Sequence, residues 1–235
     1  MRRGILAREE PVPGRGGFLL FFIFREGRGM SSGWSGEKED WARDLHEDVL
    51  PAYERLASSG ILRLTCFGRP NIDILFPRYR FPHLVGLSYY SCRDKKRRVK
   101  IPDREFYKLI GDGDVDTQRM DYTHERNDRG TNVHTRHDNT SNKMTVALRV
   151  FLELRDLHRH DGWEVDSAIV DSGQNPIVIF TGTSSWALGL CHQMNSNGKT
   201  LPTYIPRSLV KEDVRSSRNM KKGTTASRVI FARWI

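Results

Sequence analysis

The hydrophobic period of this chain changes after its longest helical stretch, and that change limits the folds open to it. From Asn142 to His160, in "NKMTVALRVFLELRDLHRH", the residues Met144, Ala147, Leu148, Phe151 and Leu154 fall three and four apart, with Val150 and Leu157 widening the stripe. That spacing is one face of an amphipathic helix. Beyond Gly162 the pattern becomes short apolar runs, "SAIVDS", "PIVIFTGT", "WALGLCH" and "RVIFARWI", separated by Gly, Asn and Ser. Runs of that length bounded by turn residues read as a meander of strands. A chain that keeps its helices apart from its strands in this way is expected to fold as an α+β domain, with helices on one side of a curved sheet.

The first half carries the same two signals on a smaller scale. Trp41, Leu45, Val49, Ala52, Tyr53 and Leu56 have helical spacing within Glu37 to Ser58, and Gly60 offers a stop. Pro51 lies inside this stretch and predicts a kink or a division into two helices. "ILRLTCF" and "IDILF", joined by "GRPN", read as a β-hairpin. "IPDREFYKLIGDG" predicts a short helix with Asp103 as N-cap and Gly111 as stop. Residues 112–142 are almost free of aliphatic side chains and are expected to be an exposed insertion.

Composition sorts the partners. With 235 residues and 37% hydrophobic residues the chain can bury a core. Its 38 Lys and Arg against 29 Asp and Glu leave a formal charge of +9, which favours polyanions, nucleic acid first. Cys66, Cys92 and Cys191 are widely separated, so the sequence suggests neither a disulfide framework nor a structural zinc site, and a reducing cytoplasm is the expected location. His134 and His137 in "HTRH" lack a setting that would hold a metal, and no cofactor is expected. "GFLLFFIF", Gly17 to Phe24, is too short to span a bilayer and lacks a cleavage site after it. Residues 1–36 are expected to be disordered or an over-extended start, with Met30 as an alternative beginning, and 37–235 to form the domain.

Two stretches could carry chemistry. "RFPHLVGL", Arg80 to Leu87, sets His83 between Pro82 and a strand-like apolar run. It reads either as a core histidine or as a proton-transfer group at the lip of a sheet, since imidazole titrates near neutrality. The second stretch runs from Lys199 to Arg228 and holds eight Lys or Arg against Glu212 and Asp213, with Thr203, Tyr204 and Ser208 interleaved. Guanidinium and ammonium groups suit phosphates, hydroxyls add hydrogen bonds, and an aromatic face can stack a base. Lys199, Thr203, Arg215 and Lys221 are therefore expected to bind nucleic acid. The basic block Ser91 to Lys100 lacks such an apolar frame and reads as a solvated loop. His192, at the end of "WALGLCH", is a second candidate histidine.

Taken in order, "FPHLVGL", "DREFYKLI", the long helix, the strand series and "YIPRSLVKEDVR" resemble the fourth family of phage and mobile-element nuclease domains related to barnase, EndoU, colicins and RelE. The resemblance covers Trp41 to the C-terminus. It implies an α+β fold with a curved antiparallel sheet of four to five strands and a metal-independent ribonuclease activity. It also implies catalytic roles for His83, Tyr204, Arg207, Ser208 and Lys211. Such a protein would be a toxin or phage-conflict effector acting on RNA, transfer RNA included, and would meet an immunity or antitoxin protein. A nucleic-acid-binding module without turnover is the alternative, and a virion or packaging component comes third.

Overall fold

The polypeptide, a computed structural model, is described over residues 38–94, 96–122, 125–126, 132–133, 137–157, 162–167, 176–215 and 226–235. "GFLLFFIF", the whole of 1–36, His124, His134 and Lys221 lie outside these residues. The first helical stretch divides as Pro51 requires. Helix α1 (Lys38–Asp44) passes into one π-helical turn, Leu45–Val49, and then into α2 (Leu50–Ala57), which takes Pro51 into its first turn. The missing N–H of Pro51 falls just after that wider turn, where Leu50 already bonds back to the carbonyl of Leu45 and the regular α-helical ladder is interrupted.

Gly60, at φ 94°, turns the chain into β1 (Ile61–Cys66). A side chain there would meet the carbonyl oxygen of Ile235 at 2.6 Å, and Ile61 and Ile235 exchange backbone hydrogen bonds beside it. The first strand is thereby locked to the last. β1 pairs antiparallel with β2 (Ile72–Leu75), and its alternate residues Leu62, Leu64 and Cys66 are buried. The register is pinned across the pair by Arg63, whose Nε and Nη2 donate to the two carboxylate oxygens of Asp73, each at 2.7 Å. That guanidinium holds the Asp73 carboxyl below its ordinary range.

After β2 come a 3-10 turn (Arg78–Arg80), α3 (Phe81–Leu84), β3 (Leu87–Tyr89) and α4 (Asp103–Asp112). The expected strand on "HLVGL" is corrected here: Pro82 opens a helical turn, a place where its fixed φ is an advantage, and the strand starts only after Gly86 at φ 75°. α4 also differs from expectation. Asp103 is its first residue, Pro102 its cap, and the helix runs past Gly111 to end at Gly113 in the left-handed conformation.

The span expected to be an exposed insertion starts inside the fold. A 3-10 turn (Thr117–Arg119) leads to β4 (Met120–Tyr122), which pairs with β3; Met120 is buried, and the Asp116 N–H donates to the Tyr89 hydroxyl at 3.0 Å. The short pair β5 (Glu125–Arg126) and β6 (Asn132–Val133) follows, then α5 (His137–Arg155). Met144, Ala147, Val150, Phe151 and Leu154 of α5 are buried. Phe151 meets Tyr53 of α2 with ring centres 5.0 Å apart, and Tyr53 in turn packs on Phe81 at 5.4 Å. The Tyr53 hydroxyl donates to the carbonyl of Pro77 at 2.8 Å. This cluster fixes where α3 sits.

The remaining strands are β7 (Glu164–Ser167), β8 (Ile179–Gly182), β9 (Ala187–Met194), β10 (Thr200–Val210) and β11 (Ser227–Trp234). With β1 and β2 they close a seven-stranded barrel in the order β1-β11-β7-β8-β9-β10-β2. The fold is thus α+β, with a larger sheet than the four to five strands expected, and closed rather than open. The seam is the parallel contact of Tyr204 in β10 with Ile74 in β2; every other pairing in the barrel is antiparallel. β10 is a strand absent from the runs read in the sequence, and it holds Pro202 and Pro206. Both prolines fall at shifts of register against β9, where a missing N–H is tolerated.

Candidate functional site

His83 stands in the single turn of α3, which packs on β10. Its ring is partly buried, and among the described residues neither nitrogen has a hydrogen-bond partner or is sealed from solvent. Burial lowers its pKa from 6.5 to about 4; Asp103 opposes the shift, while Arg80, Lys100 and Lys143 add to it. The imidazole is therefore neutral at pH 7. It can accept a proton but has none to give, which narrows the base-or-acid role expected from the sequence.

Three cations from three separate segments act on it, and a fourth, Arg207, lies on β10. Arg80 ends the 3-10 turn just before α3, and its Nε is buried without a hydrogen-bond partner. Lys100 precedes α4 and pairs with Asp103 at 3.3 Å. Lys143 lies on α5 with its stem across Gly86. Arg207 is on β10, at the shift of register between Pro206 and Ser208. Arg80 and Arg207 both act on the Cys191 thiol of β9, whose pKa burial raises and these two guanidinium groups pull back. Arg80 is thus the member shared by the His83 cluster and the β10 strand. A partly buried neutral imidazole among fixed cations suits an anion with a nearby acidic hydroxyl.

Of the residues expected from sequence, His83 has Arg80 as a charged neighbour, while Arg207 is linked to Arg80 only through their common influence on Cys191. Ser208 lies opposite Gly189 in the β10–β9 pairing, and Lys211 is exposed just past the end of β10. Tyr204 pairs with His192 instead, their rings 4.6 Å apart and inclined at 30°. Thr203 donates its hydroxyl hydrogen to Gln193, and Lys199 is exposed in the β9–β10 turn with its N–H bonded to Asn195 at 2.8 Å. Arg215, expected to reach nucleic acid, makes a two-pronged ion pair with Glu164 of β7. The basic stretch 199–228 is, as far as it is described, strand β10, a turn after it and the start of β11.

Sequence reasoning missed Arg80, Lys100, Asp103 and Lys143. Arg80 was in view as the first residue of "RFPHLVGL", and Lys100 as the last of the basic block. Nothing local marked Lys143, which chain packing alone brings to Gly86. Among the described residues no group of three or more His, Cys, Asp or Glu is placed to hold a metal ion, and no helix is long and apolar enough to cross a membrane. Comparison with protein families, with curated proteins and with solved structures finds no match for this chain.

Proposed function

We propose that this protein is a metal-independent ribonuclease that cleaves RNA by attack of the 2′-hydroxyl on the adjacent phosphorus. Its role would be that of a cytoplasmic toxin or phage-conflict effector, controlled by an immunity or antitoxin protein. One observation carries the reading: a neutral imidazole with open ring nitrogens, His83, among Arg80, Lys100 and Lys143. In this scheme His83 takes the proton of the 2′-hydroxyl as the O2′–P bond forms. Arg80 and Arg207 receive the negative charge that develops on the phosphate oxygens, Arg80 gaining the partner its Nε lacks. The P–O5′ bond breaks, and the 5′-oxygen takes a proton from the ammonium groups beside the phosphate. Bound phosphate also offsets the cations around His83 and so makes the ring a stronger base.

The low pKa of His83 favours a second reading, a nucleic-acid-binding module without turnover, because the ring cannot supply a leaving-group proton. Total RNA incubated with the purified protein in EDTA, followed by mapping of the ends, separates the two. The ribonuclease leaves 2′,3′-cyclic phosphate and 5′-hydroxyl ends. Folded protein that holds RNA intact is the binding module.

A further inference from the structure

A cavity of about 280 Å³ opens beside the β1–β2 turn. Arg69 and Asn71 of that turn, Ile72 of β2, Ile179 of β8, His192 of β9 and Tyr204 of β10 line it. None of the chemistry at His83 requires it. Its aromatic wall is the Tyr204–His192 pair, held in register by the β9–β10 ladder and placed at the seam where Tyr204 meets Ile74.

The histidine carries a further signal. Its Nδ1 is buried with no partner, whereas Nε2 is neither bonded within the described residues nor sealed from solvent. A buried N–H without an acceptor is the rarer and costlier defect, so the unpartnered Nδ1 favours the tautomer with its hydrogen on Nε2. That leaves one fixed donor on the open side of the ring. Ile72 and Ile179 give the cavity apolar surface, and the Arg69 guanidinium is set at the rim by a hydrogen bond from Nη1 to the carbonyl of Val165 at 3.2 Å.

We propose that this cavity is a nucleobase subsite, in which an unstacked base lies against the ring of Tyr204 and accepts a hydrogen bond from Nε2 of His192. The inference rests on the nucleic-acid reading given above and adds to it the place where sequence is read. Base stacking on an aromatic face with one edge donor is how single-stranded nucleic acid is held and told apart. Unpaired bases in loops and at ends of RNA are the substrates that such a subsite would select.

The test uses the full chain and single-stranded DNA, which has no 2′-hydroxyl and is not cleaved by this chemistry. Binding of a fluorescein-labelled oligonucleotide is compared with that of an abasic strand of the same length, for the wild type, Tyr204→Ala, Tyr204→Phe and Asn71→Trp. The expected result is tighter binding of the base-bearing strand by the wild type and by Tyr204→Phe. Tyr204→Ala should lose roughly 5- to 100-fold on that strand alone. Asn71→Trp, which fills the mouth from an exposed position, should remove the same preference and carries the test if Tyr204→Ala does not fold. Equal binding of the two strands by the wild type overturns the subsite, as does a preference that survives in Tyr204→Ala or Asn71→Trp. Cleavage of RNA in EDTA is read separately. Protein that cuts but does not distinguish the strands loses the subsite and keeps the ribonuclease, and protein that distinguishes them without cutting does the reverse.

Discussion

The stem of Lys143 lies across Gly86, so that a Cβ at Gly86 would stand 2.5 Å from Cδ and 2.9 Å from Cε. Gly86 also has φ 75°, a conformation that costs an L-residue roughly 1–2 kcal/mol. Gly86→Ala should therefore do two things at once. Strain should lower the melting temperature by about 2–8 °C, as expected for a chain of this size. Displacement of the lysine should also weaken RNA binding. Thermal denaturation and a binding titration of the same sample check both, and loss of stability with unchanged binding would remove Lys143 from the site.

Glu153 on α5 accepts hydrogen bonds from the indole N–H groups of Trp163 and Trp186, each at 3.2 Å, while the two rings meet edge to face at 5.8 Å. Both tryptophans are fully buried. Glu153→Ala leaves two buried donors unpaired, at about 1–3 kcal/mol each. Glu153→Gln, whose amide oxygen can still accept one of them, should cost less. Urea unfolding followed by tryptophan fluorescence gives both values, and equal losses for the two variants would contradict this account.

What could be read from the sequence was local. The stripe on α5 and the β1–β2 hairpin are each specified by residues a few positions apart, Met144 to Phe151 in one case and Arg63 with Asp73 in the other. The barrel was hidden because its seam joins Tyr204 to Ile74, a contact with no sequence signature, through a strand that holds two prolines. The site was half legible for the same reason. "RFPHLVGL" contains both His83 and Arg80, yet Pro82 serves as a helix starter where an extended approach was expected. Lys143 reaches the site only because the Tyr53–Phe151 packing lays α5 beside α2.

His83 links the site to pH. Its ordinary value is near 6.5 and burial brings it to about 4, so between these values the unfolded chain binds a proton that the folded protein does not. The stability that depends on neutral His83 is complete above pH 6.5 and is lost as pH falls toward 4, at up to about 1.4 kcal/mol per pH unit. His83→Gln should shrink the difference in unfolding free energy between pH 7.5 and pH 4.5 by on the order of 2 kcal/mol. At pH 7.5 it should melt close to the wild type while RNA cleavage falls roughly 10²-fold. A variant that keeps full cleavage, or that keeps the acid sensitivity of the wild type, is incompatible with the role given to His83.

Arg80, at the end of a 3-10 turn, and Arg215, beyond the end of β10, make opposite predictions although both are arginines. The Nε of Arg80 is buried and unpartnered, so Arg80→Met removes an unmet polar group and should leave stability unchanged or raised. Its RNA binding should weaken, and the slope of log K against log salt should fall by about 0.7, the share of one phosphate contact on a single strand. Arg215 is held by Glu164 in an exposed pair, which holds its charge away from a ligand. Arg215→Gln should therefore cost no more than about 1 kcal/mol of stability and leave the salt slope as it is. Titrations at several salt concentrations with a non-cleavable strand decide the matter. If Arg215→Gln lowers the slope and Arg80→Met does not, the phosphates lie along the β7–β10 side of the barrel and not at His83.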